Sequence, residues 1–185
     1  MLSSFFRFAF IALAAAGAAA CASSRSLDQS LSDIGGDAQI KGVLLADRSH
    51  DYSDIDLTLY EGRLLLTGTM RSETGREKLI ANARKAEGVE EIINEVLIDD
   101  KTSFGQGFED ARIDKVLRAK LIGDNNVTSA RYKIAVSKAV VYLIGAAPTQ
   151  AELDRALKLA AEVPGVEKVV SHVAVALASG AQSPR

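Results

Sequence analysis

Cysteine and histidine, the residue types most often used in nucleophilic and transition-metal chemistry, are rare in this 185-residue chain: it has one cysteine, Cys21, and two histidines, His50 and His172. Histidine and carboxylate side chains together can bind a metal ion, and acidic residues flank the first histidine: Asp47, Asp51 and Asp54. Acidic clusters just before a strand are, however, more typical of turn hydrogen bonding. The sequence shows neither a glycine-rich phosphate loop nor a nucleophile–base signature. We therefore expect no catalytic residues, no metal site and no dissociable cofactor.

Cys21 follows a segment that has the form of a bacterial export signal. Residues 1–20 carry one basic residue, Arg7, followed by 13 apolar or small residues up to Ala20. A membrane-spanning helix needs about 20 apolar residues, so we expect a cleaved signal peptide instead. The stretch from Ala18 to Cys21 resembles a lipobox, where a bacterial lipoprotein is acylated on the cysteine and cut before it. The alternative is cleavage by the general signal peptidase, which leaves a free cysteine.

Lipidation explains why the single thiol stands at Cys21. An exposed unpaired thiol is a liability in an oxidising compartment, whereas acylation consumes it. The resemblance implies a diacylglycerol and an N-acyl chain on Cys21. It also implies anchoring in the outer membrane, facing the periplasm, because inner-membrane retention usually goes with Asp after the cysteine and this chain has Ala22. The polar composition of the lipidated segment 21–36 predicts a flexible tether.

The remainder of the chain contains one pattern twice. Gly68 precedes the Gly88-Val89 pair by 20 residues, and Gly145 precedes Gly165-Val166 by the same interval. At the corresponding offset of 77, the apolar positions of three strand-like segments also coincide. Such a repeat predicts two small domains. We place them at residues 37–98 and 110–175, with a linker at 99–109 and a polar, disordered tail at 176–185.

Each copy predicts the element order α-β-β-α-β. Asp37 and Asp110 are the expected caps of the two first helices. In the first copy, a hairpin leads to a longer helix over 69–87, which is expected to end at Gly88, and then to a strand over 89–98. The second helix is a crossover, which makes the last two strands parallel. The predicted fold class is α+β: two tandem domains, each a three-stranded mixed sheet covered by two helices.

The hairpin turn differs between the copies in sequence. Glu61-Gly62 suits a tight turn, because glycine adopts positive φ without strain. The second copy has Lys138-Ala139 at the same place. We therefore expect a different turn type there.

Three apolar residues, Leu65, Ile93 and Leu97, lie out of phase with the core positions of their strands. They would leave apolar surface on the face of the sheet that the helices do not cover. Two interpretations remain open: a half-covered strand, or an interface with the other domain or with a partner.

The motif carried by both copies resembles the BON domain. The first copy reads Leu64-x-Leu66-x-Gly68 with Gly88-Val89-x-x-Ile92, and the second Val141-x-Leu143-x-Gly145 with Gly165-Val166-x-x-Val169. The asparagine typical after the last pair is present as Asn94, whereas Ser171 departs from it. The resemblance covers residues 37–175 and implies binding modules without catalysis.

A lipoprotein signal followed by two BON domains resembles the DolP type of outer-membrane lipoprotein. That resemblance implies binding to anionic phospholipid, accumulation at division sites and support of envelope integrity. It also implies that the first helix of the second domain, here residues 110–122, touches the lipid.

The helix over 110–122 offers a basic face for that contact. At about 100° per residue, its buried stripe contains Ile113, Val116 and Leu117. The candidate phospholipid-binding residues lie opposite or alongside: Arg112, Lys115, Arg118, Ala119 and Ile122. The alternative is a solvated basic face with Ile122 tucked under the following loop.

Net charge favours neither nucleic acid nor membranes in bulk. Without residues 1–20 the chain has 21 basic and 24 acidic residues, a net charge of −3.

The expected partners are an anionic phospholipid surface and envelope proteins, and no nucleic acid. The alternative function is a protein-binding adaptor for an envelope assembly or secretion complex that uses the sheet faces or the same helix. Phe104 and Phe108 of the linker are expected to help dock the domains.

Overall fold

The computed structural model describes residues 50–99 and 106–176, together with Gly42, which is helical. Cys21, the predicted tether, residues 177–185 of the predicted tail, Asp37 and Phe104 lie outside the described residues, as does the predicted first helix of domain 1 apart from Gly42. No helix among the described residues is both long enough and apolar enough to cross a membrane.

The first domain contains a hairpin, a crossover helix and a parallel third strand. Its elements are β1 (Ile55–Tyr60), β2 (Arg63–Met70), α1 (Glu73–Ala83), β3 (Glu91–Asn94) and β4 (Leu97–Ile98). β1 pairs antiparallel with β2, and β3 and β4 both pair parallel with β2 in the same register. The predicted strand over 89–98 is therefore one line of pairing that is interrupted at residues 95 and 96.

The helix predicted over 69–87 is shorter in the structure. Thr69 belongs to β2, and the helix begins only after Ser72, whose Oγ accepts the Gly75 N–H at 3.1 Å. It ends at Ala83, and Gly88 (φ +79°) lies in the turn that follows. The prediction failed at the first end because β2 continues through Met70, which pairs with Ile98.

The second domain repeats this arrangement with its first helix described. Its elements are α2 (Gln106–Gly123), a 3₁₀ turn (Ser129–Arg131), β5 (Tyr132–Ser137), β6 (Val140–Ala147), α3 (Gln150–Ala161) and β7 (Lys168–Val175). β6 pairs antiparallel with β5 and parallel with β7. This confirms the predicted α+β class with two mixed sheets.

The motif glycines are required because two backbones approach each other closely. A Cβ on Gly68 would lie 1.9 Å from the carbonyl oxygen of Asp54, and one on Gly145 would lie 2.1 Å from that of Arg131. Side chains do not tolerate contacts this short. Glycine at the same place in both copies therefore allows the second strand of each hairpin to approach the residue that directly precedes the first strand.

The two hairpin turns have similar backbones, contrary to expectation. Lys138 and Ala139 have φ of +51° and +60°, and Glu61 and Gly62 have +49° and +78°. Left-handed conformations cost non-glycine residues about 1–2 kcal/mol each. In the second domain, the Asp110 carboxylate offsets part of this cost by accepting the N–H groups of Lys138 and Ala139, each at 2.9 Å.

Asp110 is consequently not the cap of α2. The helix begins four residues earlier, at Gln106, inside the stretch interpreted as linker. Gln106 Nε2 donates to Asp110 Oδ1 at 3.1 Å. An acidic residue before an apolar run is typical of a helix start, but the Asp110 side chain accepts hydrogen bonds from the β5–β6 turn instead.

The two sheets pack face to face, with their uncovered sides together. Their shared apolar cluster consists of Tyr60, Leu65, Ala135, Tyr142 and Ile144, with Ile93 and Val170 partly buried against it. Leu65 is fully buried, whereas Leu97 is 44% exposed at the rim. The domain–domain interpretation is therefore right for Leu65 and Ile93. The packing of the two sheets also explains why β1 is buried on both faces from Leu57 to Tyr60.

Equivalent positions of the repeat meet across this interface. Leu65 and Tyr142 are 77 residues apart and lie in the same cluster. Glu95 and His172 have the same offset, and Glu95 Oε1 lies 2.9 Å from His172 Nε2. Lys133 Nζ also donates to the carbonyl oxygen of Leu59. The two domains therefore meet through the same sheet face of each copy.

Candidate functional site

Helix α2 is held to the second sheet by one buried stripe. Ile113, Leu117 and Leu121 are buried in the domain core, and Val116 packs at its edge. Residues spaced three and four apart share a helix face. The side of α2 opposite Leu117 therefore faces away from the core.

That outward side presents a continuous line of residues, here named the outer stripe. At about 100° per residue its members lie within about 40° of one direction. They are Phe108, Arg112, Lys115, Ala119 and Ile122. At about 1.5 Å per residue the stripe extends about 21 Å along the helix.

The two ends of the outer stripe are strongly exposed apolar side chains. Phe108 is 86% exposed and Ile122 is 73% exposed. Among the described residues, the other large hydrophobic side chains that are exposed are Leu97 and Ile98, at 44% and 43%. Ile122 is thus not tucked under the following loop, and Phe108 does not dock the domains.

Phe108 was missed as a site residue because it was assigned to the linker. The signal was present in the sequence: Phe108 precedes Arg112 by four residues and Lys115 by seven, which is the spacing of one helix face. Taking Asp110 as the helix cap removed the first turn of α2, and Phe108 with it.

The three predicted basic residues differ in what they contact. Arg112 donates to Glu109 Oε2 at 3.0 Å and to the Pro164 carbonyl at 2.7 Å, which ties α2 to the loop before β7. Arg118 donates to Asp114 Oδ2 at 2.8 Å and more weakly to the Ile134 carbonyl at 3.4 Å.

Lys115 makes no hydrogen bond or ion pair to any part of the chain that the structure describes, and it is exposed. It lies near the middle of the outer stripe, between Phe108 and Ile122. Its ammonium group is therefore available for a ligand, whereas Arg112 and Arg118 are already bound within the protein.

A cleft of about 530 Å³ opens beside this helix, between the two domains. One wall comes from the flank of α2 and from β5, and the other from Asp54, Asp56 and Thr69 of domain 1. Lys115 belongs to both the outer stripe and the cleft. The stripe and the cleft thus form one continuous surface.

His50 does not form a metal site with Asp51 and Asp54, and Asp47 lies outside the described residues. Hydrogen bonding from the Ser53 side chain, and then from the Ser53 N–H, which Asp51 Oδ1 accepts at 3.0 Å, lowers the pKa of Asp51 below its usual value. His50 packs its ring at 6.1 Å from that of Tyr52. Within residues 50–99 and 106–176, no group of three or more His, Cys, Asp or Glu side chains is placed to hold a metal ion.

Comparison with known families identifies both repeats. The BON domain matches residues 37–100 and 109–176, which together include every strand and helix described above except the first three residues of α2. The chain belongs to the BON domain family.

Several proteins with known sequences resemble this BON protein over most of its length. One of Anaplasma centrale, described as an uncharacterized protein in the gshII 5′ region, is 33% identical over 66% of this chain and 82% of its own. Outer membrane lipoprotein DolP of Haemophilus influenzae is 29% identical over 63% of this chain and 60% of its own. The 21 kDa hemolysin of Actinobacillus pleuropneumoniae is 33% identical over 64% and 61%. The matched region spans about three fifths of the length of the latter two. These relatives make the chain a DolP-type dual BON protein.

Proposed function

We propose that this chain is an outer-membrane lipoprotein, anchored through Cys21 and facing the periplasm, whose second BON domain contacts the surface of an anionic phospholipid bilayer. The proposed role is support of envelope integrity, including at division sites. The envelope assignment is supported by the relative named outer membrane lipoprotein DolP. The observation that carries lipid contact is the outer stripe, with Phe108 and Ile122 exposed on either side of Lys115, which has no partner among the described residues.

This arrangement suits the boundary between headgroups and acyl chains. A helix lying in that boundary buries its apolar side chains by about 5–10 Å while its basic residues stay among the headgroups. Each Lys near an anionic surface contributes about 1 kcal/mol. Burying a Phe or Ile side chain fully contributes about 1.5–3 kcal/mol, so partial insertion of both adds about 2 kcal/mol. The apolar ends therefore contribute more than the one available charge.

The anchor and the stripe have different roles in this proposal. Acyl chains contribute about 0.8 kcal/mol per buried CH₂, so lipidation at Cys21 holds the protein on a membrane. Contacts of the stripe then set the orientation of the second domain on that membrane. Screening over about 8 Å at physiological salt confines its electrostatic part to the bilayer surface.

The adaptor alternative loses one of its two surfaces. The sheet faces that were to bind a partner are packed against each other, with Leu65 fully buried. The outer stripe is the surface that an adaptor would still have. The two functions therefore compete for the same residues, and a lipid-binding experiment decides between them.

The test is co-sedimentation of residues 22–185 with phosphatidylglycerol vesicles and with neutral phosphatidylcholine vesicles. We expect binding to the anionic vesicles, weakened about 30-fold when Phe108→Ala and Ile122→Ala are combined, since about 2 kcal/mol is lost. The matched control combines Leu97→Ala and Ile98→Ala, the other two exposed large hydrophobics among the described residues. Absence of wild-type binding to anionic vesicles would refute lipid contact and favour the adaptor.

A further inference from the structure

The cleft beside α2 contains charged side chains that have no side-chain partner in the described part of the chain. Among the acids and bases that line it, Asp110 accepts the N–H groups of the β5–β6 turn, and Asp114 pairs with Arg118. Lys138 pairs with Asp99. These contacts account for most of the charged groups in the walls.

Three charged side chains are left over. Asp54 makes no side-chain hydrogen bond within residues 50–99 and 106–176, and Asp56 uses one oxygen to accept the N–H of its neighbour Leu57 at 3.0 Å. Both carboxylates are exposed on the domain 1 wall, and the unpaired Lys115 ammonium stands on the α2 wall. The cleft therefore offers a cation on one side and two anions on the other.

We infer that this cleft recognises a zwitterionic phosphoethanolamine headgroup, with its phosphate at Lys115 and its ammonium at Asp54 and Asp56. This inference rests on the proposed function, because the outer stripe brings the lipid to the cleft. Lys115 is common to both surfaces, so a lipid whose acyl region lies along the stripe has its phosphate beside that residue. Its headgroup then extends toward domain 1.

The carboxylate wall determines which headgroup fits. A phosphatidylglycerol headgroup carries no positive charge to place against Asp54 and Asp56, whereas an ammonium group donates charge-assisted hydrogen bonds to them. A quaternary choline keeps the positive charge but has no N–H to donate. The size of the cleft is not limiting, since about 300–1,000 Å³ is usual for small-ligand sites. The expected preference is ethanolamine over choline at equal bilayer charge.

The first test compares vesicles with the same phosphatidylglycerol fraction, diluted with either phosphatidylethanolamine or phosphatidylcholine. We expect residues 22–185 to bind the ethanolamine vesicles about fivefold more tightly, the upper range for exposed charge pairs. Combining Asp54→Asn with Asp56→Asn should abolish the preference. The matched control, Glu77→Gln with Glu90→Gln, changes the net charge equally at exposed sites of domain 1 outside the cleft, and should retain it.

The second test needs no bilayer, so it separates this inference from the proposed function. Soluble sn-glycero-3-phosphoethanolamine is titrated into the ¹⁵N-labelled protein, and amide shifts are expected at Asp54, Asp56 and Lys115. Vesicle binding without ethanolamine preference and without these shifts would overturn the inference and leave lipid contact standing. If the wild-type protein binds no vesicles but still shows these amide shifts, lipid contact is refuted while recognition of the headgroup by the cleft stands. Equal preference in the Asp54/Asp56 variant and the wild type would refute the assigned carboxylate role.

Discussion

Replacing Leu65 by Ala tests whether the two domains pack against each other at this residue. Leu65 is fully buried between the two sheets, among side chains of both domains. Buried Leu→Ala changes cost about 2–5 kcal/mol, through lost transfer free energy and the cavity left behind. Because the interface surrounds the residue on the side away from its own helices, we expect a loss of about 3 kcal/mol in the free energy of unfolding.

The matched control is the same substitution at Leu97. Leu97 lies on the same sheet face but is 44% exposed at the rim, so Leu97→Ala should cost less than about 1 kcal/mol. The assay is urea unfolding followed by far-ultraviolet circular dichroism, with midpoint and slope recorded for each variant. Equal and small losses at both positions would refute the packing of the sheets. They would also restore the sheet face as a surface for a partner.

Three further predictions each concern a single side chain. Asp110→Ala removes the acceptor of two backbone N–H groups in the β5–β6 turn and should lower the unfolding free energy by about 1–3 kcal/mol, measured by urea unfolding; an unchanged midpoint would contradict this role. Burial, and then the Glu95 carboxylate, raise the pKa of Tyr142, so its stabilising contribution is full below about pH 10 and falls as the pH rises further. Urea unfolding at pH 9 and pH 11 should show this loss, and Tyr142→Phe should reduce it. Lys115→Gln should weaken binding to anionic vesicles about fivefold at low salt, the effect of about 1 kcal/mol, whereas Lys78→Gln on α1 should have none.

The repeat made most of the fold predictable. Its period placed Gly68 and Gly145 at equivalent positions, and the structure shows a carbonyl about where each Cβ would lie. Alternating apolar residues located the strands because a sheet buried on one face requires that alternation. Sequence did not reveal what covers the second face, since Leu65 is equally apolar whether it meets the other domain or a partner.

Helix ends were the less predictable part, and they decided the candidate site. Asp110 has the residue type of a cap, but its carboxylate supports a turn 28 and 29 residues further along the chain. A side chain that hydrogen-bonds to backbone groups far along the sequence leaves no recognisable pattern in the residues around it. The first turn of α2 was therefore assigned to the linker, and Phe108 to domain docking.

The charge of α2 was also overestimated from sequence. A helical wheel shows where Arg112 and Arg118 point but not what they meet. In the structure Arg112 contacts Glu109 and the loop before β7, and Arg118 contacts an acid one turn away. The outer stripe is consequently more apolar and less cationic than its composition indicates.

The most direct test of lipid contact is the depth of the outer stripe in a bilayer. In a Cys21→Ser background, a nitroxide spin label is attached to a single cysteine replacing Phe108, Ile122 or Leu97, and its accessibility to oxygen and to a water-soluble nickel complex is measured on anionic vesicles. The account predicts that labels at 108 and 122 enter the apolar region, while the label at 97 stays in water. Equal exposure to water at all three positions would contradict it.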